Sequence, residues 1–180
     1  MNVPERYRLP VAAIASLAVV AFVAVVVLLA GGVLSSPVST PSPTVTANAS
    51  PTDPGTNPES ATRAFFEAYA NARRTDDPSL VEPFVTGKTS SAYLSVSAFL
   101  QGQKDLGKAS VTTVLRLENV SVQPAASSAT VSFDYTEGGY NIDPKTGQAV
   151  ESPVVLPTTR VVAVVRQVGG RWLVDSYQSR

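Results

Sequence analysis

Residues 11–34, VAAIASLAVVAFVAVVVLLAGGVL, carry no charged side chain. A helix rises about 1.5 Å per residue, so roughly 20 apolar residues cross a hydrocarbon core about 30 Å thick. Residues 11–30 meet that length, and Ser16 is the one polar residue among them. Its hydroxyl can return to the helix's own backbone. The alternative is a buried core helix, but a chain of 180 residues offers no interior able to surround it on every side. Arg6 and Arg8 stand directly before the run, and no Lys or Arg follows until Arg63. That asymmetry puts the N terminus in the cytoplasm and everything after Gly32 outside. A cleaved signal peptide would share the basic start, but its apolar core usually spans only about 7–15 residues. Residues 1–10 are therefore expected as a short cytoplasmic segment. Residues 11–34 are expected as a single transmembrane helix in the lipid bilayer of the cell membrane.

Residues 35–58 cannot build a core. Of these 24 residues, 16 are Ser, Thr or Pro. The prolines deny helix, and the short polar side chains leave little apolar surface to bury. Such a segment favours extended, partly polyproline-like states and reaches at most about 75 Å. It is expected as a disordered stalk holding a domain clear of the membrane. Ser and Thr beside Pro permit O-glycosylation, and Asn48-Ala49-Ser50 and Asn119-Val120-Ser121 match the N-glycosylation pattern.

The remaining 122 residues, 59–180, carry 12 Lys/Arg against 12 Asp/Glu and are numerous enough for one hydrophobic core. Balanced charge gives no pull towards nucleic acid, so no nucleic-acid partner is expected. The chain has no Cys, which excludes a disulfide scaffold and a thiol nucleophile. It also has no His, the side chain best suited to proton transfer near neutrality. The acidic residues lack calcium-loop spacing and no glycine-rich phosphate loop occurs, so neither metal nor cofactor is expected.

Asn57-Pro58-Glu59 opens a helix well: Asn caps, Pro suits the first position, and Glu favours the positive end. Ala61, Phe65, Ala68 or Tyr69, and Ala72 then recur at helical spacing, with Phe66 widening the stripe. Asp77 caps a short helix through Leu80 and Val81 that Pro83 and Gly87 limit. A third helix is expected over 90–100, with Tyr93, Val96, Phe99 and Leu100 inward and Gly102 and Gly107 in the exit loop. The period then falls to two. Val111, Thr113, Leu115 and Leu117 alternate, followed by Val120 and Val122. Ala129, Val131, Phe133 and Tyr135 alternate next, with Ser132, Asp134 and Thr136 on the other face and Gly138-Gly139 ending the strand. The DPKTG turn at 143–147 joins arms that suggest a small hairpin over 140–151. Pro157 should delay the next strand, RVVAVVRQV, and Gly169-Gly170 joins that strand to RWLVDSYQS in a tight hairpin. Helices first and an antiparallel sheet afterwards make an α+β domain.

AFFEAYANA, DDPSLVEPF and GGRWLVDSY resemble segments of NTF2-like proteins. With its basic start, anchor and stalk, the whole chain resembles membrane-anchored or exported actinobacterial proteins carrying such an outer domain. The resemblance implies a cone of three helices packed on a curved, mainly antiparallel four-stranded sheet. Some members hold a ligand, or an isomerase or dehydratase site of Asp, His or Tyr, inside that cone. Many relatives carry a Cys pair after the second helix, where this chain has TGKTSSAY and no Cys. Related folds also serve as outer domains of secretion and conjugation assemblies, which implies an accessory role.

Asp134, Asp175 and Tyr177 are the candidate catalytic residues, with Tyr69, Tyr93, Tyr135 and Tyr140 as further hydroxyl partners, because a buried Asp beside a Tyr can exchange protons. By parity Asp134 lies opposite Val131 and Phe133. Asp175 shares a face with Leu173 and Tyr177, and Trp172 and Val174 share the other. Arg73-Arg74 precedes Asp76-Asp77, so the local field largely cancels. RVVAVV is apolar on both faces: Val161, Ala163 and Val165 suit the helices. Val162 and Val164, with Arg166 and Trp172, form the candidate interaction surface for a second copy or an envelope protein, unless the 140–151 hairpin covers it. The leading expectation is a membrane-tethered extracytoplasmic interaction or accessory domain without enzymatic activity. The alternative is small-ligand binding or acid–base catalysis in the cone.

Overall fold

The computed structural model describes residues 55–180. The expected cytoplasmic segment, the expected transmembrane helix over 11–34 and most of the expected stalk lie outside the described residues. Among those described, no helix is long and apolar enough to cross a membrane.

Helix α1 spans Pro58–Thr75. The Asn57 side chain accepts from the Ser60 amide at 2.8 Å, and Ser60 Oγ accepts from the Asn57 amide at 3.2 Å, so two otherwise orphaned donors are satisfied reciprocally. Its buried stripe is Ala61, Phe65, Phe66, Ala68 and Ala72, as the spacing predicts. A 3-10 helix, Pro78–Phe84, follows, capped by Asp77 on the Ser79 amide at 2.9 Å. Helix α2 covers Ser91–Asp105 with Ser90 as its cap. It therefore runs through Gly102, which the sequence reading puts in the exit loop. One glycine costs a helix about 1 kcal/mol, and good helix formers on both sides outweigh that. The helix ends instead at Leu106 and at Gly107, whose φ is 64°.

The sheet has four long antiparallel strands in the order β1-β2-β4-β5: β1 Ala109–Pro124, β2 Ser128–Ile142, β4 Thr159–Val168 and β5 Arg171–Ser179. A two-residue strand, β3 Val154–Val155, pairs with Gly138 and Gly139 of β2 and is parted from β4 by the Pro157 segment. The three helices pack on one face of this sheet, the α+β arrangement expected from the sequence. Phe65, Val96, Leu100, Val131, Phe133, Val165 and Val174 form the centre of the core.

Several irregularities set which side chains face that core. Gly138-Gly139 does not end β2, which continues to Ile142. A Cβ at 139 would collide with the Val111 carbonyl oxygen, and one at 138 would stand 2.9 Å from the Val154 carbonyl oxygen. Glycine here lets two neighbouring backbones close in. In β1, Thr112 pairs with Gly139 and Val114 with Gly138, so Thr113 is an extra residue and is exposed rather than inward. In β5, Ser176 pairs with Val164 and Val174 with Val165, which makes Asp175 an extra residue too. The simple parity expected along β5 is thereby broken: Val174 and Tyr177 both reach the core side. The Asp143–Gly147 turn closes on the far end of β2, where Ile142 bridges Ala149. That end lies beyond Ser128–Tyr135, the stretch of β2 that pairs with β4.

Candidate functional site

Helical spacing puts Tyr69 and Arg73 one turn apart on the side of α1 that carries Phe65. Alternation along β2 puts Val131, Phe133, Tyr135 and Glu137 on the inner face of the sheet. The two elements meet through charge. Arg73 Nη1 lies 2.7 Å from Glu137 Oε2, and the Tyr135 hydroxyl donates to that same oxygen at 2.6 Å. The pair is neither sealed nor solvated, with side-chain exposures of 13% for Arg73 and 20% for Glu137. The guanidinium also sits over the Phe99 ring of α2 at 5.2 Å and the Tyr69 ring at 5.8 Å, where ring quadrupoles attract a cation.

The bulge at Asp175 delivers a third phenol. Tyr177 packs its ring 5.5 Å from both Phe65 and Phe66, and its hydroxyl lies near that of Tyr69. Phe66 in turn meets Phe133 at 5.3 Å and Tyr135 at 5.1 Å. Three tyrosine hydroxyls and one ion pair are thus set into a wall of phenylalanine rings. Burial pushes the Tyr69 and Tyr135 phenols well above their ordinary range, and Glu137 beside Tyr135 adds to the effect there. Burial likewise pushes Tyr177 up to about 12. All three are protonated at neutral pH, and Tyr135 spends its proton on Glu137. Arg73 Nε–H is buried and has no hydrogen-bond partner among the described residues. The second Glu137 oxygen, Oε1, accepts no hydrogen bond among the described residues.

Of the residues singled out from the sequence, Tyr69, Tyr135 and Tyr177 join this cluster, and the two aspartates lie elsewhere. Asp134 is on the outer face of the sheet, where Asn119 Nδ2 donates to it at 2.7 Å and Arg160 Nη1 at 2.9 Å. Those bonds, the Asn119 one foremost, hold its carboxyl below the usual range. Asp175 takes a hydrogen bond from Thr86 Oγ1 at 2.7 Å and an ion pair from Arg166 Nε at 2.9 Å, and Thr86 chiefly lowers its carboxyl. Neither Asp joins the tyrosines; Glu137 is the carboxylate that does. Val162 and Val164 are half-buried on the outer face. Val162 lies between Ser132 and Gln178, and Val164 between Thr130 and Ser176. Trp172 packs against the core on the other face, and its amide donates to Gly55 O at 3.0 Å. Val162, Val164, Arg166 and Trp172 therefore do not form one surface.

Glu137 was within reach of sequence reasoning. The alternation 131-133-135 extends to it by one step, and only the reading of Gly138-Gly139 as a strand end conceals it. Arg73 is hidden differently: its sequence neighbours Asp76-Asp77 look like its partners, whereas its partner in space is 64 residues away.

No known protein family matches the sequence, and no curated protein does. Solved structures of similar fold include the intermembrane space region of the chloroplast protein ARC6, with a TM-score of 0.52 and 15% identity over 67% of this chain and 92% of that one. Others are Aln2 from a Streptomyces species, at 0.49 and 14% over 69% and 91%, and an NTF2-like superfamily protein from Salmonella enterica, at 0.46 and 13% over 68% and 91%. At these identities the likeness is one of fold alone.

Proposed function

We propose that this chain is a membrane-tethered protein whose outer, NTF2-like domain binds a small molecule in a cup between α1, α2 and the inner face of the sheet. The observation that carries the reading is the convergence of Tyr69, Arg73, Tyr135, Glu137 and Tyr177, from three separate elements, on a wall of Phe65, Phe66, Phe99 and Phe133. Ligand sites are typically apolar and aromatic walls with a few convergent polar groups. A core selected only for stability gains little from an ion pair there. Apolar replacements of buried pairs are often neutral or stabilising by about 1–4 kcal/mol.

The tether rests on the uncharged run 11–34, the basic residues before it and the Pro/Ser/Thr stalk after it. The ARC6 region of similar fold is named for an intermembrane space, which agrees with a domain held outside a membrane. Binding is proposed rather than catalysis, because Asp134 and Asp175 are both paired with arginines away from the cup and the chain has no His. Protein association through the sheet has less support. Ser, Thr and Gln flank Val162 and Val164, and Trp172 faces the opposite way.

The test is a screen of the full chain in lipid nanodiscs against fluorinated aromatic fragments by 19F NMR, with empty nanodiscs as the reference. Saturable hits weakened by both Glu137→Gln and Tyr135→Phe are expected. A screen without saturable hits, or with hits indifferent to both substitutions, contradicts the reading.

A further inference from the structure

We infer that the cup is matched to an uncharged, flat molecule that presents a carbonyl oxygen to the cluster of Arg73, Tyr69 and Tyr177. This rests on the binding reading above and narrows it to a ligand class. The first ground is charge. Arg73 and Glu137 neutralise each other at 2.7 Å, and each is mostly buried. A charged ligand would bring an unpaired ion into a site whose opposite charge is already engaged, and burying an unpaired ion is unfavourable.

The second ground is the hydrogen-bond inventory. The Tyr135 proton is engaged by Glu137. Tyr69 and Tyr177 bring two further phenol protons close together, and even if one phenol bonds the other, one proton is left over. Arg73 Nε–H is buried without a partner among the described residues, and an orphaned buried donor is costly to leave unmet. The unmet demand is therefore for an acceptor. The spare acceptor, Glu137 Oε1, belongs to a side chain one-fifth exposed, where water can serve it. Shape is the third ground. Aromatic rings surround these donors, and such walls favour a planar guest stacked or edge-on against them.

The experiment uses the full chain in nanodiscs with 13C at the tyrosine ζ carbon, whose shift reports the state of each phenol. The chain has six tyrosines, so each signal is assignable by Tyr→Phe substitution. The probes are acetophenone, benzoate and benzylamine: one ring carrying a neutral acceptor, an anion or a cation. Acetophenone is expected to move the Tyr69, Tyr135 and Tyr177 signals saturably and to leave Tyr7, Tyr93 and Tyr140 in place. Tyr177→Phe should weaken it about tenfold, the worth of one hydrogen bond. If benzoate or benzylamine moves the three signals at lower concentration than acetophenone, the ligand class is wrong and the cup reading survives. If no probe moves them, the cup reading itself fails.

Discussion

Tyr177 reaches the aromatic wall because Asp175 is an extra residue in β5, and the consequence can be titrated. Burial favours the neutral phenol and raises Tyr177 to about 12 in the folded domain, against about 10 in an unfolded chain. Between those values the folded state keeps a proton that the unfolded state releases. The contribution to stability is therefore complete below pH 10 and is lost as pH rises through about 12. Unfolding by denaturant across pH 9–12 should show this decline, and Tyr177→Phe should make it less steep, Tyr69 and Tyr135 accounting for the rest. An identical decline in the variant would mean that the phenol is not buried as described. Glu137 and Arg73 illustrate the limit of sequence reading at this scale. Each residue type and spacing is visible, but their pairing is a contact between distant segments that local charge counting assigns to the wrong partners.

Among the elements, the caps, the helical stripes, the change of period at β1 and the Gly169-Gly170 hairpin were legible because each follows from local chemistry. The glycines were not, since glycine marks a turn, a close approach or nothing at all, and only the neighbours decide. Gly139 lies against the β1 backbone, whereas Gly102 has no atom within 4 Å that an added Cβ would meet. The two alanine substitutions should accordingly differ in sign. Gly139→Ala is expected to destabilise by about 3 kcal/mol through collision with the Val111 carbonyl. Gly102→Ala should stabilise by about 0.5–1 kcal/mol through helix propensity. Chemical denaturation of both variants checks this, and equal effects would contradict the described environments. The bulges at Thr113 and Asp175 belong to the same class of hidden information. A one-residue insertion reverses every later side chain, and nothing in the strand's own residues announces it.

For the molecule as a whole, the one α+β domain is legible because composition and period act over long windows; the anchor and stalk are expectations for residues outside those described. The sequence leaves the ligand of the proposed cup unstated. The domain carries an ion pair inside an aromatic wall, and the central claim is that this pair serves binding rather than stability. Replacing both partners at once, Arg73→Met with Glu137→Leu, separates the two roles, since neither charge is then left uncompensated. The decisive measurement is the unfolding free energy of the full-length double variant, taken together with its acetophenone titration. The account predicts stability equal to or above that of the natural chain, with the saturable tyrosine shifts abolished. A double variant destabilised by several kcal/mol, or one that still binds, would contradict it.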